Sequence, residues 1–368
     1  MSAPERALAR IDLGAIERNC AHLSSLLGEA ELCAVVKADG YGHGAVWTAR
    51  AALEGGAGWL AVATAAEAED LRRHGLDAPL LVMGALSRDE ARTALDSGAD
   101  VVAWSRDFVR TLDELERPAR VHAKLDSGMG RLGTPDADEL RAVVAAVESA
   151  DRLELAGLMT HFATADEAGD EHFPAQLERF APLARELKEG RPELLVHAAN
   201  SAAAFRDPAA RFDMARCGVA VYGLDPFQGD AAERGLEPAL SLESWVAAVK
   251  RFGPGDSAGY GRTWRATRET WVGVLPIGYG DGWRRALSNN CDVLVRGRRH
   301  QLVGTISMDN VTIELGPDTE VQVGDRAVLI GADGAERISS EEVARRLDTI
   351  NYEITCGLGP RVRRLHSR

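Results

Sequence analysis

Short apolar runs recur along the first 220 or so residues, and each is followed by a stretch with helical spacing. The runs fall at 32–36, 59–63, 79–83, 100–104, 120–126, 153–159, 194–198 and 215–222. They are short and apolar, and several are rich in β-branched residues, as expected of strands buried on both faces. Between them, 65–73, 138–147 and 172–187 show one apolar face at helical period. Ahead of the first run, Asp12 caps a predicted helix with apolar positions at Ile16, Cys20, Leu23 and Leu27, and Gly28 stops it. Eight strand–helix alternations predict a (β/α)8 barrel of the TIM type. A doubly wound open sheet is the alternative. It rarely needs eight repeats, and no GxGxxG follows a strand to mark a dinucleotide site.

Near residue 230 the pattern changes. Gln228-Gly229-Asp230 and Arg234-Gly235-Leu236-Glu237-Pro238 read as a linker. Beyond it, runs at 242–249, 270–276, 292–296, 301–306, 311–315 and 327–330 predict a mostly antiparallel β domain. Ser339 and Glu342 form a predicted capping box at the head of one late helix. The expected organisation is a barrel over 8–233 and a β domain over 234–368, with residues 1–7 joining the β domain.

Composition narrows the picture further. A chain of 368 residues is long for one ordinary domain but suits a barrel plus a smaller domain. With 45% hydrophobic and 27% charged residues it can bury a sizeable core. A net charge of -13 speaks against nucleic acid, whose binders present basic faces. No apolar run is long enough to span a membrane, and residues 1–10 lack a signal-peptide core. The five cysteines are scattered without a CxxC pair, so no metal site is expected. Reduced thiols in a cytoplasmic protein are the expectation.

The chemistry is concentrated in a few stretches. Ala34-Val35-Val36-Lys37-Ala38-Asp39-Gly40-Tyr41-Gly42-His43-Gly44 runs from a strand into a glycine-rich loop. Lys37 stands at the junction, which in a barrel is the active-site mouth. Val121-His122-Ala123-Lys124-Leu125-Asp126-Ser127-Gly128-Met129-Gly130-Arg131 is a second distinctive stretch, with Lys124 predicted to point into the barrel in alternation with His122 and Asp126. Thr160-His161 through Asp166, His197 through Ser201, and Arg216-Cys217-Gly218-Val219 each follow or end a predicted barrel strand. In the β domain, Gly259-Tyr260-Gly261, Gly278-Tyr279-Gly280, Gly304 through Asn310, and Asn351-Tyr352-Glu353 complete the set.

Together these stretches closely resemble the alanine racemase family, in family order and over nearly the whole chain. The family interconverts L- and D-alanine with pyridoxal 5'-phosphate (PLP), supplying D-alanine for peptidoglycan. The resemblance implies that Lys37 forms the imine to PLP and that Tyr41, Asn200, Ser201, Gly218, Val219 and Tyr352 lie at the phosphate. It places Arg216 against the pyridine nitrogen with His161 beside it. A guanidinium cannot accept a proton, so it only donates to that nitrogen. Arg131 and the backbone of Met308 meet the substrate carboxylate, Asp166 and Tyr279 line the entrance, and Lys124 matches a lysine that many members carbamylate. Lys37 and Tyr260 are the two implied bases, Tyr260 coming from the other subunit of a homodimer. Thr305, Ser307 and Asn310 depart from the Arg, Cys and Gln of many members, which changes the entrance polarity. Three rival readings stand beside this one: a racemase of serine or broader range, a barrel-type decarboxylase, and a non-enzymatic PLP-binding protein. The last would lack the β domain.

Overall fold

The structure, a computed structural model, describes residues 5–368. Contacts divide it into two units, Ile16–Phe227 and the described residues up to Ala15 with Gln228–Arg368. The strand β1 (Leu8–Asp12) lies in the second unit, so the barrel begins at residue 16, not at 8 as the sequence suggested. Of residues 1–7, also expected there, 1–4 lie outside the described residues.

The first unit is a closed barrel of eight parallel strands. They are β2 (Glu31–Val35), β3 (Trp59–Val62), β4 (Leu80–Val82), β5 (Asp100–Ala103), β6 (Ala119–Lys124), β7 (Leu153–Met159), β8 (Leu195–His197) and β9 (Met214–Cys217). All eight overlap the predicted runs, because strands covered on both faces are mostly apolar. Helices between them start where their sequences cap them. Thr64 and Glu67 form a capping box on Ala65–Arg73, and Ser87 and Glu90 one on Arg88–Asp96. The β6–β7 ladder slips by one residue between Val121 and His122. Gly157 of β7 then stands opposite His122, and a Cβ there would collide with the imidazole.

The second unit holds β10 (Leu240–Trp245), β11 (Ala248–Phe252), β12 (Ser257–Ala258), β13 (Trp264–Arg265), β14 (Thr270–Leu275), β15 (Asp292–Val295), β16 (Arg298–Gln301), β17 (Val311–Gly316), β18 (Arg326–Asp333), β19 (Glu336–Ile338) and β20 (Arg363–Ser367). One sheet runs β16-β15-β18-β10-β1-β20 with β19 on β18, and a second runs β11-β14-β17. All of its strand ladders are antiparallel except β1 with β20. The apolar run 242–249 is two strands. Val246 N–H donates to Asp325 in the first sheet and Ala247 N–H to Val274 in the second, so the chain changes sheets between them. The expected strand 301–306 is mostly loop, broken where Gly304 adopts φ 78°. Ser339 caps Ser340–Arg346 as expected. Glu342 does not complete the box, because Arg299 and Arg346 take its carboxylate. A short helix at Asn351–Cys356 has no counterpart in the apolar spacing.

Gly157→Ala should cost about 1–3 kcal/mol, the usual range for overpacking a filled core. Denaturant unfolding of the full chain checks this. An unchanged midpoint would show that the His122 imidazole yields freely.

Candidate active site

Lys37 lies just past the C-terminal end of β2, where Val36 N–H still bonds across to Ala61 (2.8 Å). The chain then makes a left-handed turn, with φ of 52°, 52°, 59° and 51° at Ala38, Asp39, Gly40 and Tyr41. Each non-glycine residue in that region costs roughly 1–2 kcal/mol, so the turn must be held from outside. Glu67 does much of this. One carboxylate oxygen accepts from Ala38 N–H (2.7 Å), while the other takes Ala63 and Thr64 N–H (2.8 and 3.1 Å). Asp39 accepts from Ala45 N–H (3.0 Å), and His43 Nδ1 lies 3.1 and 3.0 Å from the carbonyls of Gly40 and Tyr41. Buried Tyr41 packs 5.0 Å from the Tyr222 ring, whose hydroxyl donates to Val35 O (3.0 Å). A Cβ on Gly218 would collide with the Tyr41 hydroxyl, so only glycine permits this approach.

Arg216 on β9 is 3% exposed. Its Nη2 donates to the carbonyls of Thr160 (2.8 Å) and Ala198 (3.1 Å) and reaches His161 Nδ1 (3.2 Å). Nη1 donates to His197 Nδ1 (2.7 Å). His197 Nε2 lies 2.7 Å from His122 Nδ1, and His122 Nε2 lies 3.0 Å from Asp100 Oδ2. Burial lowers the Arg216 guanidinium to about 10. His161 and His197 are pushed well below the ordinary histidine value, first by burial and then by Arg216.

Lys124 on β6 is buried and points inward as expected. Burial first, then Arg216, Arg131 and Lys37, pull its ammonium down to about 8, against a weaker opposing pull from Asp126. Asp126 is engaged elsewhere, accepting from the N–H groups of Gly128, Met129, Gly130 and Arg131 at 2.7–3.2 Å. Burial alone would raise its pKa, but these four donors hold it below the ordinary carboxylate value. Asn200 caps Ser201–Arg206 by accepting from Ala203 N–H (3.0 Å). The Ser201 hydroxyl instead accepts from Gly218 (3.0 Å) and Ala220 N–H (3.4 Å). Val219 is buried beside them, and Asp166 is exposed.

In the second unit, Tyr260, Tyr279 and Met308 are all exposed, Tyr260 by 72%. Tyr279 N–H donates to Ser307 O (3.1 Å) and Gly280 N–H to Met308 O (2.9 Å), which joins two of these loops. Gly259 bridges to Thr305 and carries the Tyr260 loop alongside. Asp281 is fully buried beneath the Tyr279 loop, paired with Arg6 (2.5 and 2.8 Å) and Arg361 (3.3 Å) and accepting from Gly278 N–H (2.9 Å). Tyr352 is half-buried on the helix Asn351–Cys356. Sequence reasoning assigned no role to Glu67, Tyr222, His122, His197, Asp100 or Asp281. Only Glu67 carries a local signal, the Thr64-x-x-Glu67 capping box.

The alanine racemase N-terminal domain model matches residues 11–226, and the C-terminal domain model matches residues 239–366. The chain is 43% identical over 363 residues to an alanine racemase of Symbiobacterium thermophilum, covering 97% of this chain and 96% of that one. It is 43% identical over 367 residues to one of Geobacillus stearothermophilus, covering 98% and 93%. Its fold is similar to the crystal structure of alanine racemase from E. faecalis, with a TM-score of 0.92 at 37% identity over 99% of this chain and 98% of that one. The Bacillus anthracis alanine racemase with bound L-Ala-P gives a TM-score of 0.91 at 39% identity, covering 99% and 95%.

The two depressed imidazoles have a measurable consequence. A histidine kept neutral in the fold contributes full stability above its unfolded value near ~6.5 and loses it as pH falls below. His161 and His197 should together lower the unfolding free energy by up to about 2.7 kcal/mol per pH unit below about pH 6.5. Urea unfolding between about pH 6.5 and 5.5, above most carboxylate titration, reads this slope. A flat profile would mean that both rings take up the proton without unfolding.

Proposed function

The chain belongs to the alanine racemase family, and from that premise we propose that it interconverts L- and D-alanine, using PLP held at Lys37 in a homodimer with shared sites. The observation that carries this reading is the charge at the barrel mouth. Lys37, Lys124, Arg131 and Arg216 all lower the protonation of His161 or of one another, and Asp126 is the anion that opposes them at Lys124. A cationic mouth in a protein of net charge -13 favours a ligand bearing several negative charges, as a phosphate, a phenolate and an amino-acid carboxylate together would.

The residues present fit the cofactor. Arg216 makes all its hydrogen bonds through Nη1 and Nη2, so its Nε–H has no partner among the described residues and is open to a ring nitrogen. Gly218 and Tyr41 meet at the distance only a glycine allows, beside Ser201. PLP supplies, when bound, the electron sink for the negative charge left when the α-proton departs. The chain's own residues do the rest. Lys37, set by its turn, holds the cofactor and moves the proton on one face. Arg216 only donates, which keeps the ring nitrogen an acceptor. Arg131 orients the carboxylate. Tyr260 serves the opposite face from the partner subunit, since a racemase needs a base on each side.

Lys124 would resolve its unbalanced surroundings by adding carbon dioxide through its neutral amine and releasing a proton, leaving an anionic carbamate facing Arg131. Carbon-13 NMR under labelled carbon dioxide should then show one carbamate carbon per chain, absent in Lys124→Ala. A spectrum without that signal would leave Lys124 an unmodified amine.

Loss of optical rotation on a panel of L-amino acids tests the activity, with alanine expected fastest. Borohydride reduction should fix the cofactor to Lys37, and Lys37→Ala should abolish both labelling and turnover. Lys37→Ala and Tyr260→Phe chains, each nearly inactive alone, should complement after dissociation and reassociation. Random pairing restores about a quarter of the sites. No recovery despite demonstrated heterodimers would place both bases in one chain.

A further inference from the structure

We propose that Asp100 and His122, buried on the side of the barrel away from the mouth, are positioning residues that fix how Arg216 is held. The argument begins with which groups can donate. A guanidinium has donors only, and an ionised carboxylate has acceptors only. Arg216 and Asp100 are the two ends of one buried chain, with His197 and His122 between them at 2.7, 2.7 and 3.0 Å. Arg216 Nη1 must donate to His197 Nδ1, so the proton of His197 lies on Nε2. That proton goes to His122 Nδ1, so the proton of His122 lies on Nε2 and goes to Asp100. Three contacts use three donors and three acceptors, with both rings neutral. Any other tautomer, or a proton added to either ring, sets donor against donor somewhere in the chain.

The surroundings serve this arrangement. His122 and His197 are fully buried, so a mismatched pair could not be relieved by water. Gly157 leaves the space the His122 ring fills, and Trp59 packs edge-on at 6.0 Å. Asp100 is the first residue of β5, at the rim opposite the mouth, where half-exposed Arg120 also donates to Oδ2 (3.3 Å). Arg120 thus gives the oxygen that accepts from His122 a second donor. Without the carboxylate the His122 Nε2–H would be a buried donor with no acceptor, and only the Arg216 end would still hold the order of the protons. His197 could then turn a proton toward Arg216, displacing the guanidinium. The tautomers follow from the contacts alone, while their effect on the cofactor rests on the function proposed above.

Nitrogen-15 NMR of histidine-labelled, PLP-loaded full-length protein tests the proposal. Near neutral pH the signals assigned to His122 and His197 should both be neutral with the proton on Nε2. Asp100→Ala should mix the tautomers, shift the bound cofactor's absorption, and lower kcat on the order of tenfold with KM nearly unchanged, the size expected for losing one buried charge-assisted bond. Asp100→Asn should recover most of both, because its amide oxygen can accept from Arg120 and His122. A protonated ring, or a proton on Nδ1, in the unsubstituted protein would overturn the direction of the chain, and this needs no variant to fold. Loss of stability in Asp100→Ala with unchanged imidazole signals and cofactor absorption would make Asp100 merely structural. The signals report tautomers with or without bound cofactor, so a protein that failed to bind PLP would sink the functional reading and leave this one standing.

Discussion

A guanidinium placed inside a parallel barrel sets terms that much of the unit must meet. Arg216 brings five donors and no acceptor into a region lined by apolar strands. Two of its partners are carbonyls just past the ends of β7 and β8, Thr160 and Ala198, available because the ladders stop there. The other two are imidazoles, which must therefore stay neutral and present Nδ1 as an acceptor. The depressed protonation of His161 and His197 is the electrostatic face of that same requirement. The slip in the β6–β7 ladder and the glycine at 157 are its steric face, since both are needed to seat His122.

The turn after β2 solves a different problem by a related route. Four successive residues in the left-handed region are intrinsically unfavourable, so the conformation is imposed by its neighbours. Glu67 couples it to the start of the following strand–helix unit, because one carboxylate serves both the helix cap and Ala38 N–H. Lys37 therefore leaves the backbone at a point fixed by two adjacent units of the barrel. A side chain of four flexible carbons gains precision from a rigid root, which suits the role proposed for Lys37.

What was legible in the sequence follows the range of the physics involved. The eight barrel strands could be read because burial on both faces makes most residues of each run apolar, despite interior polar residues such as His122, Lys124 and Arg216. The places of Lys37 and Arg216 at barrel strand ends could be read because each sits in a long, distinctive stretch. The Asp100–His122–His197 chain could not, because its members lie on three strands and meet only when the barrel closes. The left-handed turn was hidden because Ala38 and Asp39 are ordinary residues, and only Gly40 hints at positive φ. At Val246 and Ala247 the chain changes sheets inside the apolar stretch from Trp245 to Val249, so alternation carried no mark of the break. Glu342 had the right spacing for a capping box, but two arginines remote from that spacing rule outcompeted a backbone donor for its carboxylate.

The two units fix their functional groups by contrasting means. The barrel uses directional hydrogen bonds in a dry interior, where each donor must find its acceptor and a single wrong tautomer is costly. The β unit uses charge. Asp281, fully buried, gathers Arg6 and Arg361, and Asp309 meets the same two arginines. Those arginines are partly exposed, so the cluster contributes more to geometry than to net stability. Its effect falls on the backbone around Gly278 and Met308, which carries Tyr279 and Met308 outward on a surface already formed. At the entrance proposed for Tyr279 and Met308, such preorganisation spares the entropy that ordering an exposed loop on ligand binding would cost.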